Sequence, residues 1–272
     1  MTNLIHSLTT LEQRKYLKYK LDYLRLLQFW SGYPQKKFIV LTQSRSGSAL
    51  VATLLAQHPD VYRDGEILNT NNKNYKIRYP KLYLQARSRI AETERKSVYG
   101  CKIKYHHLAE HSNLSHAQIK SFMMDLHDDD WKIIYLRRNN VLRKSFSSIA
   151  GRQRGYRHVK QDSNKSLEKI RVDCNDLLDR LKASERRLEV DQDVLEGIPH
   201  LYIDYESDLL DANHHAKTCS RMFEFLGIPD TSVKAKFKRT SSDDLSETIE
   251  NYEEVKEFLS KTKYAEWLQP QQ

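Results

Sequence analysis

The chain has 272 residues, and its 45 Lys and Arg against 36 Asp and Glu give a formal charge of +9. That length suffices for a full core in one α/β domain, and the surplus favours anionic ligands or partners, although a basic surface alone gives the same balance and net charge does not choose between them. Three scattered cysteines (Cys101, Cys174 and Cys219) argue against a disulfide framework and for a reducing compartment, and no apolar run approaches the roughly 20 residues of a membrane span or resembles a signal peptide.

In chain order, Leu11 to Trp30 reads as a helix with apolar Leu17, Leu21, Leu24 and Leu27, bounded by Gly32 and Pro34. It forms an N-terminal extension over residues 1–35, either packed outside the main domain or serving as a partner-binding arm, and it is a candidate dimer contact. Phe38 to Leu41 is the first strand, and the helix after it ends near His58-Pro59, because a residue before proline avoids the helical region. A second strand runs over about Val98 to Lys104, and Ser115 N-caps a helix reaching Leu126. Trp131 to Leu136 is apolar and β-branched, as a central strand requires, and Asn140 to Ile149 follows as helix. A charged helical stretch spans Ser166 to about Leu195, a short strand covers Leu201 to Ile203, and helices complete the chain. Alternating strands and helices predict an α/β fold of three layers, its central and mainly parallel sheet flanked by helices.

Two strand ends carry chemistry. After the first strand, Thr42-Gln-Ser-Arg-Ser-Gly-Ser-Ala-Leu50 aims a helix N-terminus at its own loop, where free backbone N–H groups attract phosphate or sulfate. Gly47 admits close approach of an anion, Ser46 and Ser48 add hydroxyls, and Arg45 adds a charge. A nucleotide-binding Walker loop needs Gly-Lys-Ser/Thr here, which is missing. After the third strand, Arg137 and Arg138 precede a helix that carries Arg143, Ser145 and Ser147. Ligands bind at this end of open α/β sheets.

The string Ser44-Arg-Ser-Gly-Ser-Ala-Leu50 resembles the 5′-phosphosulfate loop of sulfotransferases that use 3′-phosphoadenosine 5′-phosphosulfate (PAPS), with the bacterial carbohydrate and lipid enzymes nearest in pattern. Ala49 stands where they commonly have Thr or Ser. The pattern Arg-Arg-x-Asn-x-Leu-Arg-x-x-x-Ser resembles their 3′-phosphate site, which implies Arg138 and Ser147 as phosphate ligands. Ser145 is the alternative, since the two serines stand about 200° apart on a helix, and Arg137 is a further candidate. The resemblance implies a P-loop-like fold over residues 36–272, PAPS as co-substrate and no metal. It also implies transfer to a hydroxyl on a small-molecule or glycan acceptor, and no nucleic-acid partner.

The resemblance extends to the base. Asp64-Gly65-Glu66 is similar to a Gly-Glu pair whose glutamate faces the acceptor, and Tyr99-Gly-Cys-Lys-Ile-Lys-Tyr-His-His107 to the family's Gly-x-Lys strand. Glu66 is the first choice of base, with His106 or His107 as the alternative. Lys102 is the cation for the transferring group, and Lys104 shares its face by strand alternation. Arg152 to His158 resembles an acceptor-entrance loop with Tyr156 and Arg157 in place of the usual tryptophan, and Tyr205-Glu-Ser-Asp-Leu209 a largely structural segment; Lys236, Lys238 and Arg239 either close over the phosphates or form a solvated charge run. Lacking a Golgi anchor, the chain is expected in the cytoplasm. Two other readings remain: a kinase of related fold using ATP and Mg²⁺, and a non-enzymatic module that binds RNA or an acidic partner through its basic clusters.

Overall fold

A computed structural model describes residues 10–27, 33–70, 75–154, 168–233 and 244–268. Five strands, β1 (Lys36–Thr42), β2 (Val61–Arg63), β3 (Val98–Ile103), β4 (Trp131–Arg137) and β5 (Leu201–Asp204), form one sheet in the order β2-β3-β1-β4-β5. Every pairing in it is parallel. β1 lies in the middle because its run Phe38 to Leu41 is apolar on both faces and therefore needs a partner layer on each.

Side chains alternate between those layers. Ile39, Leu41, Cys101, Ile103 and Ile133 pack on α5 (His116–Asp128) and on α3 (Pro80–Ser88), which α4 (Ile90–Thr93) follows. Phe38, Val40, Ile134 and Leu136 pack on α2 (Ser48–Leu55) and α8 (His215–Leu226). A third cluster joins α6 (Val141–Gln153), α7 (Cys174–Val194) and α9 (Tyr252–Ser260). Burying Leu54 and Leu55 of α2 contributes about 1.5–3 kcal/mol each, which pins the first turn of that helix to the end of β1.

The local signals account for most boundaries. Ser115 caps α5 in a reciprocal capping box with Gln118, and Asn140 caps α6 by accepting from the Arg143 N–H at 2.8 Å. Gly227 ends α8 with φ 65°, as the Leu226-Gly-Ile-Pro229 stop requires. β2 and the two short helices α3 and α4 were not expected from the sequence. β2 is only three residues long and is held by pairing with β3.

The N-terminal helix, α1 (Leu11–Asp22), continues as a 3₁₀ turn over Tyr23–Leu27, and residues 28–32 lie outside the described ones. It packs on the domain through tyrosines rather than leucines. Tyr19 donates to the Asn69 carbonyl at 2.5 Å, and buried Asp22 accepts from Arg87 at 3.1 Å and from Tyr83 at 3.0 Å. Among the described residues, no helix is long and apolar enough to cross a membrane.

Candidate active site at the strand ends

Because the strands are parallel, the segments leaving β1, β2, β3, β4 and β5 open at one edge of the sheet. The β1 segment is the tightest. Arg45 takes a left-handed φ of 67° and Gly47 one of 85°, which turns the chain sharply into α2. A Cβ on Gly47 would lie 2.5 Å from the Tyr205 ring, so glycine is required there for space as well as for conformation. The N–H groups of Ser48 and Ala49, in the first turn of α2, have no intrahelical acceptor. Ser46 is buried and spends its hydroxyl on the Gln43 carbonyl at 3.0 Å, so it shapes the loop.

The β1 and β4 ends meet on this loop. Arg45 donates from Nε and Nη2 to the Ser147 hydroxyl at 2.8 and 2.7 Å. Arg138 donates to the Arg45 carbonyl at 3.3 Å, lies 4.5 Å over the Tyr205 ring, and stands 3.5 Å from a Glu206 carboxylate oxygen. Glu206 in turn accepts from the N–H groups of Asn139 at 2.9 Å and Asn140 at 3.3 Å. Tyr205-Glu206 therefore braces the arginine that the sequence pattern singled out. Ser145 takes the other side of α6, where its buried hydroxyl makes no hydrogen bond to a described residue. Arg137 alternates away from Arg138 and lines a groove with Tyr135, His200 and Tyr202.

On the other side of β1, the β2 and β3 ends assemble a second group. Glu66 sits 2.8 Å from Lys104 Nζ, 3.7 Å from Lys102 Nζ and 3.8 Å from His107 Nε2. Burial pushes the Glu66 carboxyl up, but the Lys104 bond and the two lysine charges outweigh it and hold the group below its ordinary value. Burial brings Lys102 down against the pull of Glu66. Desolvation of the ring and the Lys104 charge bring His106 down to about 4. Burial, with His106 and Lys104 nearby, brings His107 to about 3. Both histidines are neutral at pH 7. Asp64, two residues before Glu66, is an anchor: its Oδ2 accepts from Arg87 Nη2 at 2.7 Å and from Tyr99 at 3.0 Å.

Sequence reasoning missed a buried polar triad beneath the loop. Gln43 donates to Asp191 at 2.6 Å and accepts from Lys144. Burial lifts Asp191 to about 6 despite the Gln43 bond, and lowers Lys144 to about 8 despite Asp191. Residues 148 and 101 positions apart build it, so no local signal existed. Tyr156, Arg157, Lys236, Lys238 and Arg239 lie outside the described residues.

The family model for the sulfotransferase domain matches residues 35–271, so the chain belongs to that family. Nodulation protein H of Rhizobium meliloti is 23% identical over 254 residues, spanning 88% of this chain and 97% of that protein. Among solved structures, a sulfotransferase of Alicyclobacillus acidocaldarius aligns over 87% of this chain and 94% of its own, at 14% identity and a TM-score of 0.46. One from Mycobacterium avium aligns over 90% and 80%, at 10% identity and a TM-score of 0.48.

Proposed function

We propose that this member of the sulfotransferase family moves a sulfuryl group from PAPS to a hydroxyl of a carbohydrate or glycolipid acceptor. The observation that carries the reading is the convergence of Arg45, Ser147 and Arg138 on one loop at the N-terminus of α2. PAPS supplies a sulfuryl group on a phosphate: the acceptor oxygen bonds to sulfur as the S–O bond to the 5′-phosphate breaks, leaving a sulfate ester and 3′-phosphoadenosine 5′-phosphate.

In this reading the loop from Arg45 to Ala49 holds the 5′ end through backbone N–H groups and the Ser48 hydroxyl, with Gly47 keeping the space open. Arg138 and Ser147 hold the 3′-phosphate. Arg45, bonded to Ser147, ties the two phosphate sites into one unit. Glu66 accepts the acceptor proton. Its pairing with Lys104 makes it a weak base but a well-fixed hydrogen-bond acceptor, which suits a reaction accelerated chiefly by positioning and charge stabilisation. Lys102, flanking the same carboxylate, bears charge developing on the bridging oxygen. The acceptor class rests on the resemblance of Gly65-Glu66 to the carbohydrate enzymes of this family.

Calorimetric titration with 3′-phosphoadenosine 5′-phosphate, against ATP–Mg²⁺, tests the cofactor. Tight binding of the bisphosphate that Arg138→Ala abolishes is the expected result. Binding of ATP alone would remove the proposal.

A further inference from the structure

The N-terminal helix and its 3₁₀ turn leave four leucines open to water. Tyr19 and Tyr23 face the domain, while Leu17, Leu21, Leu24 and Leu27 are 36%, 47%, 55% and 62% exposed. Leu17, Leu21 and Leu24 follow the i, i+4, i+7 rule and so share one stripe, which Leu27 extends into the 3₁₀ turn. The start of α3, where Tyr79 and Leu82 are exposed, lies against the 3₁₀ turn: Tyr23 donates to the Tyr79 carbonyl and packs on Tyr83. Four of the nine exposed large apolar side chains among the described residues thus fall on α1 and its 3₁₀ turn, and two more on the adjoining start of α3. Singly exposed leucines need no explanation, but a contiguous apolar patch marks a contact.

Charge decides what the contact is. Lys18 and Lys20 are exposed and stand about 90° and 70° to either side of the leucine line by helical rotation, Lys20 with its ammonium 5.3 Å from the centre of the Tyr16 ring, and Arg78 is exposed beside Tyr79. Asp22, at the end of the helix, is turned inward onto Arg87. Leucines flanked by outward lysines match an interface whose apolar layer lies under negative headgroups, into which long basic side chains snorkel. Two copies meeting face to face would instead bring the lysines of both together around the leucines.

We propose that the face formed by α1, its 3₁₀ extension and the start of α3 docks on an anionic lipid surface. The contact is peripheral, with the leucines inserted to headgroup depth. It also reaches the candidate active site mechanically. Arg87 bonds Asp22 of the docking helix and Asp64, two residues before Glu66, while Tyr19 bonds Asn69, three residues after it. Docking therefore bears on the segment that carries Glu66 through those bonds. The inference does not depend on the transferase reading, although it suits a glycolipid acceptor.

The experiment is co-sedimentation of the full chain with extruded vesicles of phosphatidylglycerol or of phosphatidylcholine, across a salt series, for the native protein and a Leu21→Glu/Leu24→Glu variant. Both leucines are half exposed, so the variant is expected to keep its melting temperature. The native chain should bind phosphatidylglycerol in preference to phosphatidylcholine, less as salt rises, and the variant should bind roughly a hundredfold more weakly. Light scattering of both proteins without vesicles completes the test. Native protein that ignores both vesicles, a variant that binds like the native, or a native dimer that the variant dissolves would each overturn the proposal. Vesicle binding without affinity for 3′-phosphoadenosine 5′-phosphate would keep the docking and remove the transferase reading, and the converse would do the reverse.

Discussion

Arg45 and Ser147, 102 residues apart in the chain, share two hydrogen bonds, from Nε at 2.8 Å and from Nη2 at 2.7 Å. The serine hydroxyl thereby orients the arginine that caps the β1 loop, and the arginine in turn fixes the serine. Ser147→Ala should weaken binding of 3′-phosphoadenosine 5′-phosphate about tenfold, while Ser145→Ala, on the far side of α6, should leave it near native. Calorimetry on the two variants decides which serine faces the phosphate; a reversed order would assign the site to Ser145.

Glu66 and its cationic neighbours yield a separate prediction about turnover. Glu66→Gln should bind the bisphosphate normally and lose about 10²–10⁴ in kcat. Full activity in that variant would move the base to His106 or His107.

Gly47 carries two constraints, a φ of 85° and a Tyr205 ring 2.5 Å from where a Cβ would stand. Gly47→Ala should cost about 1–3 kcal/mol of stability and abolish bisphosphate binding. Adding Tyr205→Ala relieves the collision but leaves the strained φ. Partial recovery of melting temperature without recovery of binding is therefore expected.

The pH dependence of stability follows from His107. Its folded value, about 3, lies below the unfolded 6.5, so the unfolded chain takes up the proton first as pH falls. Stability from this group is fully present above pH 6.5 and is lost as pH drops towards 3, by about 1 kcal/mol over the first unit. Asp191 acts in the opposite sense: with a folded value of about 6 against 3.8, its contribution is present below 3.8 and lost as pH rises through 6. Thermal melts from pH 7.5 to about 5 should therefore show a loss that His107→Gln reduces. An unchanged slope in the variant would contradict the assignment.

The sequence exposes those parts of the site in which a strand, a breaker and a helix follow one another directly. The β1 loop and the β4 end are of this kind: Phe38 to Leu41 and Trp131 to Leu136 are apolar runs stopped by polar turns, and Ser115 and Asn140 are caps written in residue type. Glu66, Lys102 and Lys104 could each be singled out, but their meeting could not, because it depends on β2 lying beside β3. β2 escaped notice because three residues carry no period. The helix α3 begins with Pro80, a fair start signal, yet Arg87 within it is buried by ion pairs that only the folded chain supplies. Gln43, Lys144 and Asp191 likewise look like ordinary surface residues until three distant segments close over them.

The Arg87 guanidinium, held between Asp22 and Asp64, also bears on how the chain can be shortened. A protein trimmed at residue 35, where the family match begins, would lose Asp22 and the helix that covers Arg87, breaking one of the two ion pairs that hold it beside the segment carrying Glu66. Expression trials guided by the family boundary alone would thus yield a less stable chain with a loosened acceptor side, and a preparation beginning at Thr10 or earlier keeps both intact.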